Sequence, residues 1–107
     1  MYKQRYLTLE QSDKFRKAIV YMLQKTHISQ SKLADATGLS RQAIWCILAR
    51  KEKPIPRFTF SAMIFGITYT MCIVKNMSAE EIEKLYADSG LTSITDEFIE
   101  SHLKHTT

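Results

Sequence analysis

Gln30-Ser-Lys-Leu-Ala-Asp-Ala-Thr-Gly-Leu-Ser-Arg-Gln-Ala-Ile44 is the stretch that decides how this chain folds. It divides into two short helical segments about a single glycine. Leu33 and Ala34 before that glycine, and Leu39, Ile44 and Ile47 after it, are spaced so that two short helices can pack on each other. Gly38 supplies a backbone conformation with positive φ, where a side chain would clash, and so ends the first segment. Ser29 and Ser40 stand where N-caps belong. Ala34 is small where the second helix is expected to cross. The spacing predicts helices over about Gln30 to Thr37 and Arg41 to Ala49.

Two perpendicular helices joined in this way form a helix-turn-helix, a unit that presents its second helix to a DNA major groove. Gln30, Leu33-Ala34, Gly38-Leu39-Ser40, Ile44, Ile47 and Pro54 together resemble the Cro/C1-type (lambda-repressor-like, or Xre) helix-turn-helix family. The resemblance is closest from Ile28 to Pro54, extends from Ser12 to about Val74, and fades beyond. Thr37 stands where the family usually has an apolar residue, and Arg50 where a glycine usually ends the recognition helix. The resemblance implies an all-α, lambda-repressor-like fold. It also implies a sequence-specific DNA-binding regulator, most simply a repressor that binds an inverted-repeat operator as a homodimer. Double-stranded DNA and a second copy are the implied partners. A bacterial, phage or mobile-element origin and a cytoplasmic location follow from the same resemblance.

The chemistry of base reading points to the head of the second helix. Arg41 can pair bidentately with guanine O6 and N7, and Gln42 with adenine N6 and N7. Ala43, Trp45 and Cys46 complete the candidate base-reading set, with Cys46 one turn beyond Gln42. Trp45 has two readings: outward against a sugar or thymine methyl, or sideways as a partly buried residue. The resemblance gives Gln30 a phosphate contact that also braces the recognition helix, and Lys32 and Ser40 are candidates for further backbone contacts. Arg50-Lys-Glu-Lys-Pro-Ile-Pro-Arg57 follows as a basic loop, since Pro54 and Pro56 bar helix continuation. In the family this loop runs beside the DNA backbone, which makes Arg50, Lys51, Lys53 and Arg57 candidate phosphate contacts.

Charge supports that reading. Residues 1–57 carry 12 Lys/Arg against 4 Asp/Glu, whereas residues 58–107 carry 3 Lys against 7 Asp/Glu. The basic half is the half that holds the motif, as a phosphate-binding surface requires.

Outward from the motif, Thr8 or Ser12 caps a first helix expected to run to about Thr26. Phe15, Ile19, Met22 and Leu23 form its buried face, and Lys14, Arg16, Lys17 and Lys25 largely occupy its surface. The basic, aromatic N-terminal arm from Met1 to Leu7 is expected to fray. Residues 58–74 carry no formal charge. The resemblance implies a helix near Phe58–Phe65, a turn at Gly66-Ile67 and another helix from Thr68. One long helix ending at Asn76 and a β-hairpin are the alternatives, and helices are favoured. Thr59, Ser61, Gly66, Thr68, Tyr69 and Thr70 dilute its hydrophobicity, so no membrane partner is expected. Ser78-Ala-Glu-Glu81 is a capping box that opens a helix ending at Gly90. Thr95 is expected to cap a last helix from Asp96 to about Lys104.

The chain therefore divides into a DNA-binding domain over residues 1–76 and a helical extension over 77–107. Tyr69, Ile73, Ile82, Leu85, Tyr86, Phe98, Ile99 and Leu103 are the candidate dimerisation residues. The apolar stripes of the extension need cover, from the domain's own core or from a partner. A signal peptide is not expected, because Met1 to Glu10 lacks an apolar core. Cys46 and Cys72 lack metal-ligand spacing, and His27, His102 and His105 have too few companions to hold a metal. No nucleophile–base pair and no glycine-rich phosphate loop stands out, so neither an enzyme nor a cofactor is expected. The rivals are an antitoxin that binds DNA and holds a toxin through its acidic C-terminal helices, and a protein-interaction module that has lost DNA binding.

Overall fold

The computed structural model describes residues 5–106, apart from the side chains of Phe98, Ile99 and residues 101–106. The described chain is all-helical, and its one β-bridge pairs Tyr6 with Pro56.

Helix α1 spans Leu9–Thr26. The Thr8 hydroxyl accepts from Gln11 N at 3.0 Å and the Gln11 side chain accepts from Thr8 N at 3.1 Å, a reciprocal cap that satisfies two orphan donors. Phe15, Ala18, Ile19 and Met22 form its fully buried face. Phe15 meets Phe60 edge-on, with ring centroids 4.8 Å apart. Burying one such ring stabilises the fold by about 1.5–3 kcal/mol. His27, in the left-handed region at φ 60°, ends the helix.

Helices α2 (Gln30–Thr37) and α3 (Arg41–Ala49) have the expected bounds. Ser29 accepts from Lys32 N at 3.1 Å and Ser40 from Ala43 N at 3.0 Å, so both serines are N-caps. Gly38 adopts φ 80° between them.

Helix α4 (Arg57–Tyr69) runs without a break into a π-helical turn, Thr70–Val74. The turn that the resemblance implies at Gly66-Ile67 is absent, and so is the hairpin; the single long helix is what forms. Phe60, Met63, Gly66, Ile67, Thr70 and Met71 are all buried, and their spacing makes one continuous face that a break would split. The Thr70 hydroxyl donates to Gly66 O at 2.8 Å across the start of the wider turn. Asn76, at φ 54°, then reverses the chain. Arg57–Val74 is long and apolar enough to cross a membrane, with a mean hydropathy of 1.4, but here its buried face forms part of the core.

Helix α5 (Ala79–Ser89) opens on the Ser78–Glu81 capping box and closes on Gly90 at φ 90°. Helix α6 (Leu91–Thr106) starts directly after that glycine, ahead of the cap expected at Thr95. Leu91 and Ile94 are buried in the core and draw the helix start forward. The Ser89 hydroxyl accepts from Leu91 N at 3.2 Å, while Thr95 bonds back to Leu91 O and Thr92 O.

Ile82, Leu91 and Ile94 belong to the same core as Phe15 and Phe60, so α5 and the start of α6 pack on the earlier helices. Three of the candidate dimerisation residues thus lie in or against this core. Ile82 is buried, and Leu85 and Tyr86 pack against the core. The Tyr86 hydroxyl shares a hydrogen bond with the Thr68 hydroxyl, and burial pushes its pKa up to about 12. Phe98, Ile99 and Leu103 lie outside the described side chains. Tyr69 and Ile73 remain exposed.

Candidate nucleic-acid interface

Helix α3 is too short to be stable alone and depends on the face it buries. Ile44 is fully buried, with Ile47 and Leu48 packed against the core beside it. The opposite face is left outside: Arg41, Gln42 and Trp45 are exposed, and Ala43 and Cys46 are half-buried. Trp45, 59% exposed, takes the outward of its two expected orientations. Arg41 and Gln42 sit exposed in the first turn, immediately after the Ser40 cap.

Arg50 ends α3 at φ −92° and ψ 82°, which is not a left-handed cap, so the exit needs no glycine. One of the carbonyls left open at the helix end is satisfied from another helix. Arg16 on α1 donates from Nε to Ile47 O at 2.6 Å. Its other nitrogens reach Asp13 Oδ1 at 2.9 Å, Lys51 O at 3.3 Å and, in a short contact, Lys53 O. Arg16 was expected on the surface of α1 and is instead only 5% exposed. A cation beneath a helix C-terminus also opposes the negative end of the helix dipole. One turn earlier, the buried Ser12 hydroxyl accepts from Ile55 N at 2.9 Å instead of capping α1.

The loop of residues 50–56 is thus tied to α1 by side chains. It is also tied to the N-terminal arm, because Leu7 N donates to Ile55 O at 2.9 Å. Tyr6 and Leu7 therefore lie along the loop rather than fraying from it, and residues 1–4 of the arm fall outside the described residues. Arg50, Lys51 and Lys53 remain exposed around this anchored backbone, while Arg57 is half-buried as the first residue of α4.

A groove of about 210 Å³ runs between α3 and the loop, lined by Arg16, Cys46, Ile47, Arg50, Lys53 and Pro54 among others. It brings one base-reading candidate, Cys46, together with two phosphate candidates. Gln30, Lys32 and Ser40 are exposed as well. Lys32 lines a different groove with Asp35, Tyr69 and Val74. Arg16 and Ser12 are the residues that sequence reasoning missed. Both fall on the buried stripe Ser12-Phe15-Ile19, and a charged residue on such a stripe is the signal that marks Arg16.

Among the described residues no group of three or more His, Cys, Asp or Glu is placed to hold a metal ion. Cys46 and Cys72 are free thiols. Family models, curated proteins and solved structures all return no match to this chain.

Proposed function

We propose that this chain is a sequence-specific DNA-binding protein of the helix-turn-helix type, with α3 as its recognition helix. The observation that carries the reading is one of adjacency. Helix α3 bears the exposed Arg41, Gln42 and Trp45, and the loop that leaves it bears the exposed Arg50, Lys51 and Lys53, with Cys46, Arg50 and Lys53 lining one groove between helix and loop. Recognition of duplex DNA needs groove-reading side chains beside phosphate-binding ones, the first for sequence and the second for register. The strongly basic balance of residues 1–57 supports the same surface. Regulation of transcription, most simply by occluding a promoter, is the function such binding serves.

The binding unit in this reading is a homodimer. One short helix covers only a few base pairs, and two copies about a two-fold axis present their helices about 34 Å apart, matching successive major grooves. Ile82, Leu85 and Tyr86 lie in or against the core, whereas α4 and its π-helical turn carry an exposed apolar stripe among the described residues, and this stripe is the pairing surface in this reading. Phe58, Phe65, Tyr69 and Ile73 are 81%, 66%, 47% and 60% exposed. An antitoxin would offer the same stripe to a different protein, and co-purification of a stoichiometric partner would favour that reading.

Trp45, the sole tryptophan, provides the test. Titration with duplex DNA at low salt should change its fluorescence, and the change should weaken steeply as salt rises. A Trp45 signal unaffected by a large excess of DNA would overturn the reading.

A further inference from the structure

The anchoring of α3 and the basic loop to α1 has a functional corollary that rests on the DNA-binding reading. We propose that Arg16 is the positioning residue of the interface: its one guanidinium fixes the exit of the recognition helix and the phosphate-binding loop as a single body. Three of its four hydrogen bonds go to main-chain carbonyls, of Ile47 in α3 and of Lys51 and Lys53 in the loop. The fourth, to Asp13, holds the guanidinium on its own helix. Ser12 adds a second anchor one turn away, at Ile55 N.

The chemistry suits this task. A guanidinium is planar, always charged and carries five donors in a fixed fork, so it can bind carbonyls that lie in different directions. An ammonium is a point donor and cannot span the same three acceptors. Arg16 takes the carbonyls of two residues whose side chains are the phosphate candidates, so their main chain is fixed while Lys51 and Lys53 stay exposed. Arg16 itself lines the groove that carries Arg50 and Lys53, and its charge is paired with Asp13, so its part is to hold geometry rather than to add charge. Arg16 thus acts on binding through the geometry of others. It decides whether the bases read by the head of α3 and the phosphates held by the loop can be engaged at the same time.

The test uses the full chain with Arg16→Lys, Arg16→Met and Ser12→Ala, and with Ile19→Val as a core variant that lowers stability without touching the latch. In the free protein, hydrogen exchange of the amides of residues 47–56 should speed up in both Arg16 variants relative to the amides of α1 and α4. Ser12→Ala should do the same chiefly at Ile55. On a duplex selected by the wild type, Arg16→Lys should bind about tenfold more weakly, and the slope of log K against log salt should flatten by about one unit for each phosphate contact released. Ile19→Val should leave the slope unchanged. Should Arg16→Met fail to fold, Arg16→Lys and Ser12→Ala carry the comparison. Wild-type exchange rates over residues 47–56 in Arg16→Lys, or an unchanged affinity and slope, would overturn the proposal. A wild-type chain that binds no DNA while Arg16→Lys still loosens residues 47–56 would overturn the DNA-binding reading, and Arg16's positioning role with it, but not the latch. The exchange data separate that failure from a failure of the latch.

Discussion

Thr37, the last residue of α2, lies directly over Gly66 in the middle of α4. A Cβ built on Gly66 would overlap Thr37 Cγ2 and approach Thr37 N to 3.2 Å. Thr37 cannot easily turn aside, because its hydroxyl donates to Ala34 O and accepts from Leu39 N, both at 3.1 Å. Thr37, where the Cro/C1-type resemblance would imply an apolar residue, therefore serves two purposes. Its methyl packs on α4, and its hydroxyl closes the turn into the candidate recognition helix.

Gly66→Ala should accordingly destabilise the protein, although alanine is the better helix former by about 1 kcal/mol. Overpacking a close helix contact costs about 1–3 kcal/mol, and here the obstructing atoms belong to a fixed threonine and its backbone. Thr37→Ser keeps the hydroxyl and removes the methyl. The double variant should therefore recover part of the loss, and a double-mutant cycle by urea unfolding would read the coupling. Strict additivity of the two changes would mean that the crossing is looser than described.

Lys51→Ala and Lys53→Ala should each weaken DNA binding to a similar degree on every sequence. Each should also flatten the salt slope by about one unit, since a lost phosphate contact no longer releases its counterion. Anisotropy titrations on labelled duplexes across a salt series measure this directly. A slope unchanged in both variants would mean that the loop faces away from DNA.

The stripe on α4 should mediate pairing. Phe65 stacks on Tyr69 at 6.3 Å yet is 66% exposed, so Phe65→Glu removes an apolar surface without opening the core. At tens of micromolar the wild type should sediment as a dimer and Phe65→Glu at the 12.4 kDa of one chain, with unchanged helicity. A wild type that sediments at 12.4 kDa with and without DNA would contradict the dimer.

Tyr86 should make the fold sensitive to alkali. Its phenol is held protonated by burial, to about 12 against an ordinary 10.0. The folded state thus binds this proton more tightly than the unfolded state does. The associated stability is complete below about pH 10 and is lost as pH rises toward the folded value. Tyr86→Phe should cost about 1 kcal/mol at neutral pH through the lost bond to Thr68. Its melting temperature should then fall less than that of the wild type between about pH 10 and 12. Parallel slopes in the two proteins would show that the phenol is not held in this way.

What could be read from the sequence was local. Ser29, Ser40, Ser78, Gly38 and Gly90 announce the ends of helices because a cap is decided within a few residues of chain, and the bounds of α2 and α3 follow from them. The outward face of α3 was legible for the same reason, since burying Ile44 and Ile47 dictates what is left over. The distant pairings were not legible. Arg16 reads as a surface cation until the loop that supplies its carbonyls, 31 to 37 residues away, is known to fold back onto α1. Gly66 reads as a turn until α2 is seen to lie on it. The stripe of α5 shows that it needs cover but not that the core supplies it, and Leu91 and Ile94 enter the same core, which is why α6 opens a full turn early.

Selection from a random duplex library, repeated with Arg41→Ala, tests the central claim most directly. The wild type should enrich an inverted repeat with half-site centres about one helical turn apart. Arg41→Ala should lose preference at one position of each half-site, at a cost of about 1–3 kcal/mol there, with affinity for random DNA little changed. A wild-type pool that after several rounds is no different from its input would contradict the claim that α3 reads DNA sequence.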